Sequence, residues 1–205
     1  ACGTTTATKN ITVNARPTVT FTAQPGASAC ANTDVTYTTQ SGQSNYVWTV
    51  PGVLNTDYSI TSGGIGTSSN TVTLRWLTTG SKTVTINYNN ASGCSALSAT
   101  SSTATNVTGP TATAGAALTA ICSGGTSAAM GGSIGGAATG GTWSGGTGTW
   151  TNATNPSTAT YTAGASESGT VTLTLTTSGG ACGTTTATKN ITVNARPTVT
   201  FTAQP

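Results

Sequence analysis

The sequence has no histidine and almost no acidic side chains. Its 205 residues include three acids and six basic residues. The acids are Asp34, Asp57 and Glu167. General acid–base and nucleophilic catalysis depend on histidine, paired carboxylates or an activated nucleophile. Zinc and calcium sites need clustered cysteine, histidine or carboxylate ligands. The inventory therefore predicts no enzyme, no metal site and no bound cofactor.

Charge of either sign is too sparse to recruit a polyelectrolyte. The formal net charge is +3, and the six cations are spread along the chain without forming a cluster. They are Lys9, Arg16, Arg75, Lys82, Lys189 and Arg196. Nucleic acids and anionic membrane surfaces are bound through dense basic patches. The sequence therefore predicts neither partner.

Long apolar runs and helical periodicity are also missing. No stretch of 18 apolar residues occurs, so no membrane-spanning helix is expected. No long segment repeats its apolar residues every 3.6 positions, so no helix is expected either. The sequence also lacks a start methionine and a signal peptide. We interpret it as part of a longer array.

The most informative feature is an internal repeat. Residues 1–25 read ACGTTTATKNITVNARPTVTFTAQP, and residues 181–205 read the same. Identity over 25 residues at an offset of 180 indicates a tandem array with that period.

A shorter repeat divides this period. Pro17, Pro110 and Pro197 begin related segments, PTVTFTA, PTATAGA and PTVTFTA. This spacing predicts two alternating domains of about 90 residues, a common size for a β-sandwich. The predicted division is a closing strand of a preceding domain (1–16), a first domain (17–108), a glycine-rich second domain (109–195) and a first strand of the next domain (196–205).

The residue pattern favours an all-β fold. Val72, Leu74 and Trp76 alternate with polar residues, as expected for half-buried strands. Val171, Leu173 and Leu175 alternate with threonines in the same way, and a threonine-rich strand is predicted over 96–108. Threonine favours strands, and the abundant glycine supplies turns. We predict tandem immunoglobulin-like (PKD-like) β-sandwich domains in an extended filament.

The tryptophans divide between core and surface. Trp48 and Trp143 occupy matching places in the two domains and are predicted to fill the sandwich interiors. Trp150 stands among glycine turns and is the candidate for contact with a ligand such as a sugar ring.

The cysteines indicate disulfides and an oxidising, extracytoplasmic setting. Cys30 and Cys122 come early in their domains, and Cys94 and Cys182 come late. Pairing within domains would join Cys30 to Cys94 and Cys122 to Cys182. Pairing between domains would join Cys30 to Cys182, and would give Cys94 and Cys122 partners beyond this sequence. Cys2 has a partner outside the sequence in both schemes.

Several motifs resemble one family. NNASGCSA, AICSGGTSAAMGGSIGGAATGGTWSGG and TNATNPSTATYTAGASESGTVTLTLTT are similar to repeats of the SprB-type cell-surface adhesins of gliding bacteria. Both domains look, more loosely, like PKD-like or Ig-like modules. The WxFGDG signature of PKD domains is absent, since Trp48 is followed by Thr49, Val50, Pro51 and Gly52.

The resemblance implies a structural stalk in a large adhesin that supports surface adhesion and gliding. It implies export by the type IX route to an outer-membrane-associated filament, with neighbouring repeats and the gliding machinery as partners. The alternative is a repeated carbohydrate-binding module that grips surface polysaccharide by avidity.

Overall fold

The computed structural model describes residues 2–66 and 68–201, and over these residues the secondary structure is β-strand with no helix. The chain divides into two compact units, Ala1–Val107 and Thr108–Pro205. The strands in the first half of the chain are β1 (Phe21–Ala23), β2 (Ser28–Cys30), β3 (Asp34–Thr39), β4 (Ser44–Thr49), β5 (Tyr58–Gly63), β6 (Thr71–Trp76), β7 (Gly80–Lys82), β8 (Thr85–Asn89), β9 (Thr100–Ser101) and β10 (Thr105–Thr108).

Unit 1 is an immunoglobulin-like sandwich. One sheet has the order β1-β3-β6-β5 and another the order β4-β8-β9. These orders correspond to the A-B-E-D and C-F-G sheets of the immunoglobulin fold. A small third sheet, β2-β10-β7, adds a further layer of pairing. The predicted all-β, immunoglobulin-like sandwich fold is confirmed.

The core of unit 1 lies where the period-two pattern places it. In β6 the apolar side chains of Val72, Leu74 and Trp76 are fully buried, and Arg75 between them is exposed. The remaining buried apolar residues come from the other strands and their flanks. They are Val19, Val35, Tyr37, Tyr46, Trp48, Tyr58, Val84, Ile86, Tyr88 and Val107.

The predicted single strand over 96–108 is wrong in detail. The chain forms β9 and β10 there, separated by residues 102–104. β9 pairs with β8, whereas β10 pairs with β7 and β2. Ser102 lies between the two strands and accepts a hydrogen bond from the Val84 amide through its side chain (3.0 Å). A Thr/Ser/Ala sequence carries no apolar alternation that could have predicted this change of partner.

Unit 2 is also built of β-sheets, and its two longest strands exceed any strand of unit 1. The strands of unit 2 are β11 (Pro110–Thr113), β12 (Ile121–Cys122), β13 (Ser133–Gly136), β14 (Gly140–Ser144), β15 (Thr149–Thr151), β16 (Thr160–Thr162), β17 (Gly169–Ser178) and β18 (Thr186–Asn194). The principal sheet has the order β12-β18-β17-β14, while β11 pairs with β13 and β15 with β16. β12 runs parallel to β18, and the other pairings are antiparallel.

Glycine makes room for a large side chain at the centre of unit 2. Trp143 is almost fully buried among residues of β14, β16, β17 and β18. A β-carbon on Gly132 would lie 2.8 Å from the Trp143 ring, and one on Gly141 would lie 2.9 Å from Ile134. Both distances are too short for any larger residue. The bare backbone at these two glycines therefore leaves the space that the Trp143 ring and the Ile134 side chain fill.

Candidate functional site

The three carboxylates were the first candidates for chemistry, and each has hydrogen-bond partners in its own unit. Asp34 faces Arg75 across the β3–β6 pair. The Arg75 Nε donates to Asp34 Oδ1 at 2.8 Å, and the Thr61 hydroxyl donates to Oδ2 at 3.1 Å. The hydrogen bond from Arg75 holds the pKa of Asp34 below its ordinary range. This exposed carboxylate therefore stabilises a cross-strand pair and stays ionised.

Asp57 closes the turn before β5. Its Oδ2 accepts from the Val53 amide at 2.8 Å, and its Oδ1 accepts from the Thr78 hydroxyl at 3.3 Å. Gly52 has a φ of +93°, and a β-carbon there would lie 2.6 Å from the Asp57 side chain. The Asp57 carboxylate therefore packs against Gly52, which has no side chain, and fixes the turn before β5.

Glu167 organises the turns beside β16. Its Oε2 accepts from the Tyr161 hydroxyl (2.5 Å) and the Gly164 amide (2.9 Å), and its Oε1 accepts from the Thr147 amide (2.9 Å). Burial raises the pKa of Glu167, but these hydrogen bonds outweigh it and lower the pKa overall. Burial, followed by the hydrogen bond to Glu167, raises the pKa of Tyr161.

The carboxylates are therefore used structurally at separate positions in the fold. Over residues 2–66 and 68–201, no three His, Cys, Asp or Glu side chains come together in a way that could hold a metal ion. The contacts of the three carboxylates fix two turns and one strand pair.

Trp48 and Trp143 are buried as predicted. Each indole N–H donates to a backbone carbonyl, that of Ser69 for Trp48 (2.8 Å) and that of Pro156 for Trp143 (2.9 Å). A buried indole needs such a partner. In both units, therefore, a backbone carbonyl accepts the hydrogen bond of the buried indole N–H.

Trp150, the candidate ligand contact, is half-buried. Its ring is stacked on Trp143, with centroids 6.0 Å apart and planes 15° apart, and it also contacts Tyr161 at 5.1 Å. Its indole N–H donates to the Gly145 carbonyl at 3.2 Å. The core therefore fixes the orientation of the ring while part of it remains accessible to solvent.

The cysteines fall into two classes. Cys30 and Cys182 are disulfide-bonded. Cys2, Cys94 and Cys122 are free thiols, with Cys2 and Cys122 exposed. The pairing scheme, within or between domains, and a disulfide at Cys94 and at Cys122 stay predictions.

The two copies of the 25-residue segment bury different halves of the same sequence. In the first copy Ile11 is 81% exposed, whereas Val19 is 5% exposed in the unit 1 core. In the second copy Ile191 is 1% exposed in the unit 2 core, whereas Val199 is 85% exposed. Sequence reasoning found the repeat, but not that each half of the segment serves a different unit.

The described part of the chain contains no helix long and apolar enough to cross a bilayer.

No protein-family model matches the chain, and no curated protein matches it. Several solved structures are similar to the chain. The D00-D0 domain of intimin is 14% identical with a TM-score of 0.43, covering 85% of this chain and 98% of that one. DIP-gamma IG1+IG2 is 10% identical with a TM-score of 0.44, covering 89% and 99%. The insect immune protein hemolin is 11% identical with a TM-score of 0.45, covering 87% and 47%.

Proposed function

We propose that the chain is a structural stalk repeat of a large, secreted cell-surface adhesin. The observation that carries the proposal is the repeated 25-residue segment. Its first half completes the core of unit 2, and in its other copy the second half enters the core of unit 1. A segment shared in this way makes each period the continuation of the previous one. Arrays of this kind gain length by adding units.

The residue inventory supports a mechanical role. The carboxylates fix turns and a strand pair, and disulfide bonding at Cys30 and at Cys182 resists unfolding. A disulfide of this kind fits an oxidising, extracellular location. The resemblance to SprB-type repeats extends the proposal to export by the type IX route, to an outer-membrane-associated filament and to gliding motility.

A replacement experiment tests the stalk. In the cell-surface protein that carries the period, one 180-residue period is exchanged for an unrelated pair of Ig-like domains of similar length. A stalk predicts unchanged attachment and gliding, because only length is required of the period. Deletion of the same period without replacement is the matched control for length. Loss of adhesion on exchange, with binding by the isolated period, would contradict the stalk.

The second candidate function is carbohydrate binding through Trp150. The observation that favours it is the fixed, partly accessible ring, which could stack on a sugar. Binding of the 205-residue chain to a glycan array, lost in Trp150→Ala, would support it. Trp150→Phe is the control, because it keeps an aromatic face against Trp143. Binding that survives Trp150→Ala would exclude Trp150 as the contact.

A further inference from the structure

The two copies of one segment show two sides of the same junction. Arg16 and Arg196 are the same residue of the repeat. In unit 1, Arg16 Nη1 donates to the carbonyl of Ser95 at 2.8 Å. In unit 2, Arg196 Nε donates to the carbonyl of Ser123 at 2.7 Å. A guanidinium group has five N–H donors, and these contacts use different nitrogens. One arginine can therefore make both contacts where one period follows another.

The neighbouring asparagine shows the same division. Asn14 and Asn194 are also one residue of the repeat. The carbonyl oxygen of Asn194 accepts from the Ser123 amide at 2.9 Å, and Asn194 is the partner of Cys122 in the β12–β18 pair. The carbonyl oxygen of Asn14 lies 3.9 Å from Cys94 Sγ. Each free thiol of the two units thus lies beside this asparagine, one in each copy.

A third contact fixes the turn that carries Cys94. The Asn90 side-chain amide donates to the carbonyl of Ala15 at 2.8 Å. The Asn90 Oδ1 also accepts from the Cys94 amide at 3.0 Å. The turn is therefore held against the segment at residues 14–16 by Asn90 as well as by Arg16. In the other copy the same segment is held by Ser123, which follows Cys122 directly.

We propose that consecutive periods are joined by a disulfide between Cys122 of one period and Cys94 of the next, and that the arginine at the junction aligns the two thiols. The partner is a second copy of this repeat. Bridged cysteines need α-carbons about 4.4–6.8 Å apart. Cys122 and Cys94 each lie beside the same asparagine of the repeat, which brings both thiols to one junction. The inference goes beyond the proposed function and does not rest on it, since a ligand-binding array would need the same junction.

The chemistry is a thiol–disulfide exchange. The Cys122 and Cys94 thiols lose two protons and two electrons as the S–S bond forms. Oxidised glutathione accepts the electrons, and its own S–S bond breaks to give two glutathione thiols.

The test uses a chain of two periods, residues 1–180 followed directly by residues 1–205, exposed to oxidised glutathione and mapped without reduction. We expect Cys122 of the first period to be cross-linked to Cys94 of the second. Cys94 of the first period and Cys122 of the second should remain open to alkylation, which provides the control inside the same molecule. Equal alkylation of all four thiols, or a cross-link between other cysteines, would overturn the proposal.

The alignment by arginine is tested in the same chain. The junction arginine of this chain is Arg16 of the second copy, which stands where Arg196 stands in the 205-residue chain. Arg16→Gln in the second copy should slow formation of the cross-link by about tenfold, since charge-assisted hydrogen bonds are lost. Arg16→Lys in the second copy keeps the charge but has its donors on one nitrogen instead of three, and should fall between. Arg16→Gln in the first copy, at the start of the chain, is the matched control and should leave the rate unchanged. An unchanged rate in the second-copy Arg16→Gln variant would remove the arginine from the proposal. Failure of the cross-link would leave the stalk standing, because the replacement experiment does not depend on it.

Discussion

The ammonium group of Lys189 lies 5.6 Å from the centroid of the Trp143 ring, inside unit 2. It donates to the carbonyls of Ala116 (2.8 Å) and Met130 (2.6 Å). None of the contacts described for Lys189 is with a carboxylate. Burial lowers the pKa of its amine. This lysine ties the loop before β12 and the loop before β13 to the closing strand, with carbonyl dipoles and an aromatic face as its partners.

Replacing this lysine should destabilise unit 2. Lys189→Met keeps most of the side-chain volume but leaves two carbonyls without their donor, at a cost of about 1–3 kcal/mol. Lys9→Met is the matched control, because Lys9 is the same residue of the repeat in an exposed copy. Urea denaturation of both variants checks the prediction. Equal loss of stability in the two would contradict it.

Ile191→Ala and Ile11→Ala offer a second matched pair. Ile191 is buried in the unit 2 core, so its truncation should cost about 2–5 kcal/mol. Ile11 has the same neighbours in sequence but is exposed, so its truncation should change the free energy of unfolding by less than about 0.5 kcal/mol. Thermal and urea unfolding measure both. A large effect at Ile11 would show that the first copy is packed in solution.

Glu167 should make unit 2 sensitive to acid. Its pKa is lowered in the folded state, so its contribution is present above the pKa of the unfolded chain and is lost as the pH falls through the folded pKa. Glu167→Gln should therefore be less stable than the original chain at pH 7 and should approach it as the pH falls below the folded pKa of Glu167, where the carboxyl is protonated. Urea unfolding across this range checks the convergence. A constant difference at all pH values would contradict it.

The disulfide should determine how far the chain extends under load. Both Cys30 and Cys182 are disulfide-bonded, and in the between-domain scheme, which joins them to each other, residues 31–181 are bypassed by the covalent path. Single-molecule pulling on the oxidised chain should give little extension. After reduction, each unit of about 90 residues should release about 300 Å, at roughly 3.3–3.6 Å per residue. Long extensions before reduction would contradict the bond.

Much of the fold could be predicted from alternation alone. The patterns around Trp76 and Leu173 identified strands correctly, because each has one buried and one solvated face. β5 and β7 were not identified, since YSITSG has only two alternating apolar residues and GSK has none. The same nine residues form β18 over 186–194 and lie outside any strand over 6–14. Partner strands decide that difference, and local sequence cannot.

The junction contacts could not be predicted from the sequence. The cysteine spacing allowed a bond between domains, but the two hydrogen-bonding roles of Arg16 and Arg196 depend on atoms that only a fold positions. An exposed arginine before a proline has no sequence signal that distinguishes it from an ordinary surface residue.

The shared segment also bears on how such proteins change length through recombination. Exchange between two copies at any point within the 25 residues leaves both halves intact, because the copies are identical. The product keeps a complete closing strand, an unaltered arginine and a complete opening strand. Crossovers within this segment add or remove whole periods and leave the sequence at each junction unchanged. Variants of different length can therefore arise in one recombination step and fold without further mutations.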